Sequence, residues 1–372
     1  MKQLVGEHYL DLMPYPPGKP IEETERELGI SGIIKLASNE NPLGISPRAL
    51  AAMRIAIDRV ALYPDGNAFY LKEKLSEHLS RWNISPAHIV LGNGTNEIIS
   101  MSIRAFILSG ENALSAWPAF VMYRLGLKAA ARRELCVPLD ASMGYDVEAL
   151  VAAVDQNTKM IFIANPNNPI GRYITTAEFE YLLERIPEDV IVFMDEAYFE
   201  YVNQQDYPNA MDYLGKRKRL IVSRTFSKIY GLAGIRLGYA VADPELIDFL
   251  NRGREPFNTN LVAQAAGTAA LEDTAFVSAS RDSNATELAW LQQEYARLGL
   301  RTIPSVANFV LVDFASDGNA VFRALLHKGV IVRPMGGYGL PTWARITVGT
   351  REQNQRLIGA IEELMPSSSQ TS

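Results

Sequence analysis

The sequence predicts an α/β protein with a three-layer large domain around a mostly parallel sheet, and a smaller α+β domain. Three observations lead to this prediction. Short apolar runs alternate with amphipathic helical patterns over most of the chain. The apolar runs are continuous, which is typical of strands covered on both faces. After about residue 275 the order of the predicted elements changes.

Five apolar runs are the predicted strands of the parallel sheet, at residues 88–91, 159–164, 190–194, 220–223 and 238–241. Residues 95–108 and 176–186 are predicted helices because their apolar side chains recur at helical spacing. Ligands of open α/β sheets bind at the carboxyl ends of strands. We therefore expect the functional site where these runs end.

The C-terminal part has a different order of elements, which indicates the smaller domain. Its predicted helices are residues 288–298, 321–327 and 352–364. Its predicted strands are residues 306–313, 330–333 and 343–348. The first forty residues are rich in proline and irregular, so we expect them to wrap another element.

Composition excludes several classes of protein. The chain has 372 residues, of which 48% are hydrophobic and 21% charged, unlike a disordered chain, a collagen or a coiled coil. Its formal net charge of −6 argues against nucleic-acid binding. The single cysteine and four scattered histidines predict no disulfide and no metal site. With no signal-like or membrane-spanning segment, we expect a cytoplasmic protein that does not bind membranes.

Two polar motifs follow predicted strands. Residues 92–97 (GNGTNE) join a strand to a helix, so free backbone N–H groups and the helix dipole could hold a phosphate. A tight strand–helix turn is the alternative, and the missing third glycine disfavours a dinucleotide fold. Residues 165–171 (NPNNPIG) form a rigid loop that could aim an asparagine at a ligand, or could simply be a turn.

Two ionisable residues also follow predicted strands. Asp195 is desolvated at its strand end unless a cation faces it, and either a protonated pyridine nitrogen or a structural arginine could do so. Lys228 lies just past another strand, and Arg236 follows eight residues later. A partly buried lysine among cations has a lowered pKa and becomes a nucleophile. A phosphate cradle, a buried anion and such an amine together meet the needs of pyridoxal phosphate.

The motifs NPNNPxG, DEAY (195–198) and SKxxGLAGxRxGY (227–239) occur in an order that resembles the fold type I, aspartate-aminotransferase-like enzymes. Residues 35–44, 62–66 and 330–338 are most similar to the histidinol-phosphate aminotransferase family. The resemblance implies a large cofactor-binding domain over residues 40–275. The small domain would then combine residues 1–39, which include an N-terminal arm, with residues 276–372.

The same resemblance implies roles for individual residues. Lys228 would bond to the cofactor and then move a proton, while Asp195 would pair with the pyridine nitrogen. Tyr198 and Asn168 would bind the phenolic oxygen of the cofactor ring. The cofactor's phosphate would be held by six residues of this subunit: Gly94, Thr95, Asn96, Thr225, Ser227 and Arg236.

Further implied roles concern stacking, the second subunit and the substrate. Phe120 would stack on the cofactor ring, at a position where relatives often have tyrosine. Tyr63 would reach the phosphate from a second subunit, which implies a homodimer. Arg345 would bind the anionic end of the substrate, whether phosphate or carboxylate. The further candidates on the substrate side are Tyr15, Asn39, Asn168 and Arg333.

The implied reaction is transamination of L-histidinol phosphate with 2-oxoglutarate, giving imidazole acetol phosphate and L-glutamate, in histidine biosynthesis. An aminotransferase for aromatic amino acids is the alternative, since the same scaffold accepts rings and carboxylates. A non-catalytic regulator and a decarboxylase are further alternatives. No DNA-binding module fits before residue 39, and Arg345 favours breaking a Cα–H bond over losing a carboxylate. In each enzyme reading the partners are small molecules, an amino donor and a 2-oxo acid.

Overall fold

The computed structural model describes residues 4–14 and 18–364. The strands are β1 (Ile34–Lys35), β2 (Ile89–Gly92), β3 (Asn112–Trp117), β4 (Arg133–Pro138), β5 (Thr158–Ala164), β6 (Ile191–Asp195), β7 (Leu220–Thr225), β8 (Gly238–Val241), β9 (Arg301–Ile303), β10 (Phe309–Asp313), β11 (Val330–Ile331), β12 (Arg333–Pro334) and β13 (Trp343–Thr347). The α-helices are α1 (Glu7–Leu10), α2 (Ile21–Leu28), α3 (Pro47–Ala56), α4 (Phe69–His78), α5 (Thr95–Phe106), α6 (Met122–Ala129), α7 (Val147–Ala152), α8 (Thr176–Arg185), α9 (Pro244–Arg252), α10 (Leu261–Ala270), α11 (Thr274–Arg297), α12 (Gly318–His327) and α13 (Arg351–Leu364). None of the helices in these ranges is long and apolar enough to cross a membrane.

The largest sheet has seven strands in the order β2-β8-β7-β6-β5-β3-β4. Strand β8 is antiparallel to both of its neighbours, and the remaining neighbouring pairs are parallel. The predicted α/β class with a mostly parallel sheet is confirmed. Because β2, β5, β6 and β7 run in the same direction, their carboxyl ends meet at one edge of the sheet.

Alternation along each strand sends successive side chains into two separate cores. Phe162 and Phe193 belong to the core on one face, packed with helices α5 and α6. Ile163, Val192 and Met194 belong to the core on the other face. The continuous apolar runs in the sequence therefore reflect burial on both sides of the sheet.

A second sheet of four antiparallel strands, in the order β12-β13-β10-β9, lies in the C-terminal part. Strand β1 pairs with β11, in the parallel sense, so N-terminal residues join this part of the chain. The division into domains at residues 39/40 and 275/276 stays a prediction.

Some predicted elements differ from the observed ones. The run at residues 330–333 is two short strands in two different sheets rather than one strand. Helix α11 begins at Thr274, well before the predicted start at residue 288, because its first half has no apolar stripe that a sequence pattern could reveal. Strands β3 and β4 are missed because they contain few β-branched residues, and β4 is a half-exposed edge strand.

Candidate active site

A cavity of about 190 Å³ opens at the carboxyl edge of the seven-stranded sheet. It is lined by residues that end or follow strands β2, β3, β5, β6 and β7: Thr95, Asn96, Phe120, Ala164, Pro166, Asn168, Asp195, Ala197, Tyr198, Thr225, Ser227, Lys228 and Arg236. Ten of the predicted cofactor-binding residues are among them. The sheet topology brings together motifs that lie up to 141 residues apart in the sequence, from Thr95 to Arg236.

Asp195 ends strand β6 and is almost fully buried. The Tyr123 hydroxyl donates to its Oδ2 at 2.8 Å, and the Ser223 hydroxyl donates to its Oδ1 at 3.1 Å. Burial raises the pKa of Asp195 to about 6, against the opposing effect of these two hydrogen bonds. The site therefore holds a desolvated carboxylate with the capacity to bind a cationic group.

Lys228 follows strand β7, and its ammonium donates to the backbone oxygen of Ser38 at 3.2 Å. Burial, and next the positive charge of Arg345, lower the pKa of Lys228 to about 7. A lysine with this pKa is substantially neutral near pH 7, which is the form that acts as a nucleophile or accepts a proton.

Tyr198 is the centre of a buried network. Its hydroxyl accepts hydrogen bonds from Asn39 Nδ2 at 2.9 Å and from Asn168 Nδ2 at 3.1 Å. Burial raises the pKa of Tyr198 to about 12, so the phenol keeps its proton at neutral pH and can donate it to a ligand oxygen. Asn168 in turn accepts from Arg345 Nη1 at 2.6 Å, and Arg345 Nη2 donates to the backbone oxygen of Ala37 at 2.7 Å.

The predicted phosphate cradle lies at the start of helix α5. Gly94 immediately precedes the helix with φ = 75°, and a Cβ at this position would collide with the guanidinium of Arg236. Arg236 Nη1 also donates to the Ser227 hydroxyl at 3.3 Å. Helix N–H groups, a guanidinium and hydroxyls thus meet in one place, as an anion site requires.

The other predicted residues lie in different places. Phe120 lines the cavity. Arg333 is paired with Arg345 across β12 and β13. Tyr63 is 81% exposed and stacks on Phe257, with ring centroids 4.7 Å apart, so within one chain it does not line the cavity. Tyr15 lies outside the described residues.

Sequence reasoning missed several residues that contact the site. Tyr123 and Ser223 hold Asp195, and the backbone of Ser38 holds Lys228. Outside the cavity lining, Tyr338 stacks on Trp117, with ring centroids 5.2 Å apart and planes at 10°. The only available signal for Ser223 was its position two residues before Thr225, on the same side of β7. The tyrosine contacts join distant segments and leave no local pattern.

Comparison with known proteins agrees with this geometry. The profile of the family "Aminotransferase class I and II" matches residues 31–361. A histidinol-phosphate aminotransferase of Anaeromyxobacter sp. (strain Fw109-5) is 46% identical over 363 residues, which cover 97% of this chain and 99% of the relative. Histidinol-phosphate aminotransferase 2 of Pseudomonas aeruginosa is 45% identical over 356 residues, covering 95% of both chains.

Solved structures share the fold. The crystal structure of histidinol-phosphate aminotransferase from Sinorhizobium meliloti, in complex with pyridoxal-5′-phosphate, has a TM-score of 0.87 and 27% identity, covering 97% of this chain and 98% of that one. Aspartate aminotransferase from Thermus thermophilus, with maleate, has a TM-score of 0.83 at 20% identity, covering 97% and 99%, and supports the fold alone. The aspartate-aminotransferase-like fold is confirmed, and the chain belongs to the class I and II aminotransferase family.

Proposed function

We propose that this protein is a pyridoxal-phosphate-dependent enzyme that transfers the amino group of L-histidinol phosphate to 2-oxoglutarate, a step of histidine biosynthesis. The observation that carries the choice of substrate is the 46% identity, over nearly the whole of both chains, to a relative named for this activity. The cavity described above supports the proposal because its charges and donors match the cofactor and an anionic substrate.

The residues at the cavity fit pyridoxal phosphate. Gly94 leaves room for Arg236 at the start of α5, where a side chain would block it. Asp195 is a buried carboxylate whose side-chain hydrogen-bond donors in the described chain are the neutral hydroxyls of Tyr123 and Ser223, and Lys228 is an amine with a lowered pKa. When bound, the cofactor withdraws electrons from the substrate's Cα and so makes the Cα proton acidic.

Each residue of the chain has a distinct task in this proposal. Asp195 holds the ring nitrogen in its protonated form, and Tyr198 donates to the ring's phenolic oxygen. Lys228 Nζ, neutral near pH 7, takes the proton from the substrate's Cα and returns it later. Arg236 and the first N–H groups of α5 hold the phosphate.

The substrate's anionic end is proposed to bind at Arg345 and Arg333. These residues are directly opposite each other on antiparallel strands, so their side chains leave the same face of the sheet. An anion bound on that face by guanidinium groups could be the phosphate of the donor or a carboxylate of the acceptor. Asn39 and Asn168 are proposed to complete this side of the site, since both contact Tyr198.

A homodimer is part of the proposal. Exposed apolar and aromatic side chains cluster in the chain from residue 55 to residue 70: Ile55, Ile57, Val60, Leu62, Tyr63, Phe69 and Tyr70. Burial of such a surface against a second copy would favour association. Tyr63 would then reach the phosphate site of the partner. A cytoplasmic location also stays a prediction.

A panel of half-reactions tests the proposed substrate. Cofactor-loaded protein is mixed separately with histidinol phosphate, phenylalanine and tyrosine, and conversion of the cofactor to its amine form is followed by absorbance. We expect histidinol phosphate to react with the highest kcat/KM. Lys228→Ala is the control and should react with none of the three. A higher kcat/KM with phenylalanine would replace the proposed function with that of an aromatic aminotransferase.

A further inference from the structure

Asp195 is the only carboxylate that lines the active-site cavity of the described chain, and both of its oxygens accept hydrogen bonds from hydroxyls of neighbouring elements. We propose that Tyr123, with a smaller contribution from Ser223, is a positioning residue that keeps Asp195 ionised and aimed at the cofactor's ring nitrogen. This inference rests on the proposed pairing of Asp195 with that nitrogen. It does not depend on which amino donor the enzyme uses.

The fold fixes the direction of the Tyr123 hydroxyl. Tyr123 lies on helix α6 and is 1% exposed. Its ring stacks on Phe162 of β5 with centroids 4.7 Å apart and planes at 10°, and it meets Phe120 edge-on at 5.6 Å. A ring packed in this way cannot turn its hydroxyl toward water, so the 2.8 Å bond to Asp195 is built into the core.

The strand period explains why these groups meet. Phe162, Phe193 and Asp195 point to the face of the sheet that α6 covers, and so does Ser223 on the neighbouring strand β7. The carboxylate therefore receives one hydroxyl from the helix layer and one from the sheet itself. Glu196, the next residue, points to the opposite face, where it binds Arg224.

The two hydroxyls act against the cost of burial. Burial raises the pKa of Asp195 to about 6, and the hydrogen bond from Tyr123, followed by that from Ser223, limits the rise. Burial also raises the pKa of Tyr123 well above its usual value, so its hydroxyl stays protonated and remains a donor. Electrostatic interactions with Asp195 also involve five other titratable groups: Tyr145, Glu196, Tyr198, Tyr207 and Lys228.

The test measures the dissociation constant of pyridoxal phosphate for the apoprotein between about pH 5 and pH 8. A hydrogen bond to a charged group contributes enough that its loss in Tyr123→Phe should raise the pKa of Asp195 by about one unit. If only the ionised carboxylate pairs with the ring nitrogen, the variant should bind as tightly as the parent near pH 8. Its affinity should be weaker by about fivefold near pH 6 and approach tenfold weaker near pH 5.

The pH dependence of the ratio separates this role from a merely structural one. Titrations of the cofactor's phosphate and of Lys228 affect parent and variant alike, so they cancel in the ratio of the two dissociation constants. Tyr295→Phe is the matched control, because Tyr295 is also fully buried but lies in the core of the four-stranded sheet. The dissociation constant of pyridoxal phosphate for Tyr295→Phe should equal that of the parent at every pH.

The inference would be overturned if the ratio of the cofactor dissociation constants of Tyr123→Phe and the parent is one at every pH, or does not change with pH. If Tyr123→Phe does not fold, Ser223→Ala provides the same measurement with a smaller expected rise at low pH, and a flat ratio overturns the inference equally. Asp195→Asn separates the two proposals: if it binds the cofactor as tightly as the parent at pH 8, the pairing of Asp195 with the ring nitrogen is wrong. A change of preferred amino donor would leave the inference intact.

Discussion

Replacing Arg224 should destabilise the protein more than any exposed charge replacement. Arg224 is 3% exposed and donates from Nε and Nη2 to Oε2 of Glu196, at 2.9 and 2.7 Å. Glu196 is completely buried, and apart from Arg224 its side chain accepts only from the backbone N–H of Ala210 in the described chain. Arg224→Met would therefore leave a desolvated carboxylate that has lost both bonds to one of its oxygens.

The magnitude follows from those contacts. Each hydrogen bond to a charged group is worth about 1.5–3 kcal/mol, and losing one partner of a buried ion pair costs about 3–5 kcal/mol. We expect Arg224→Met to lower the free energy of unfolding by about 3–5 kcal/mol. Adding Glu196→Leu to this variant should restore most of the lost free energy of unfolding, because an apolar pair of similar volume buries no charge.

Equilibrium unfolding of the apoprotein in urea, followed by circular dichroism, measures both variants and their coupling. Arg252→Met is the matched control, because Arg252 pairs with Asp248 in an exposed position and should change the free energy of unfolding by less than about 1 kcal/mol. The reasoning is refuted if Arg224→Met costs no more than Arg252→Met, or if Glu196→Leu makes the loss larger instead of reversing it.

Three further predictions concern the site and its loops. Because the pKa of Lys228 is lowered to about 7, the rate at which the cofactor attaches to the apoprotein should rise as the pH passes through 7 and level off above it. Stopped-flow absorbance measures this rate, and a rate that still increases steeply near pH 10 would contradict the prediction. Arg345→Ala should reduce kcat/KM for histidinol phosphate about 10- to 100-fold by removing a charged contact to the substrate's anion, and unchanged kinetics would exclude that contact. Gly231→Ala should lower the yield of folded protein and its thermal stability, because Gly231 has φ = 69° and a Cβ there would strike the backbone oxygen of Gly44. Gly234→Ala is the control and should unfold at the same temperature as the parent, because a Cβ at that position meets open space.

Much of the large sheet could be predicted from the sequence because its strands are buried on both faces and bounded by turn residues. Strands β5 to β8 and helices α5 and α8 lie within a few residues of their predicted positions. The same reasoning failed for β3 and β4, which contain few β-branched residues, and for the first half of α11, which has no apolar stripe. Elements whose burial follows from tertiary packing rather than from a local pattern were the ones missed.

The sequence by itself determined which chemical groups the site would contain. Lys228, Asp195 and Asn168 each follow a strand, and parallel strands bring such positions to one edge whatever their order in the sheet. Their grouping in one cavity needed only that general property of α/β sheets. The order of the motifs along the chain also indicated the aminotransferase family, which the comparisons support independently.

Only the tertiary structure decided how those groups are held. Asp195 meets Tyr123 across 72 residues, Tyr198 meets Asn39 across 159, and Asn168 meets Arg345 across 177. Such partners depend on which strand lies beside which and on which helix covers which face. No local pattern encodes this information, since the hydrophobic effect that packs the layers is non-directional and the choice of neighbours is made by the whole chain.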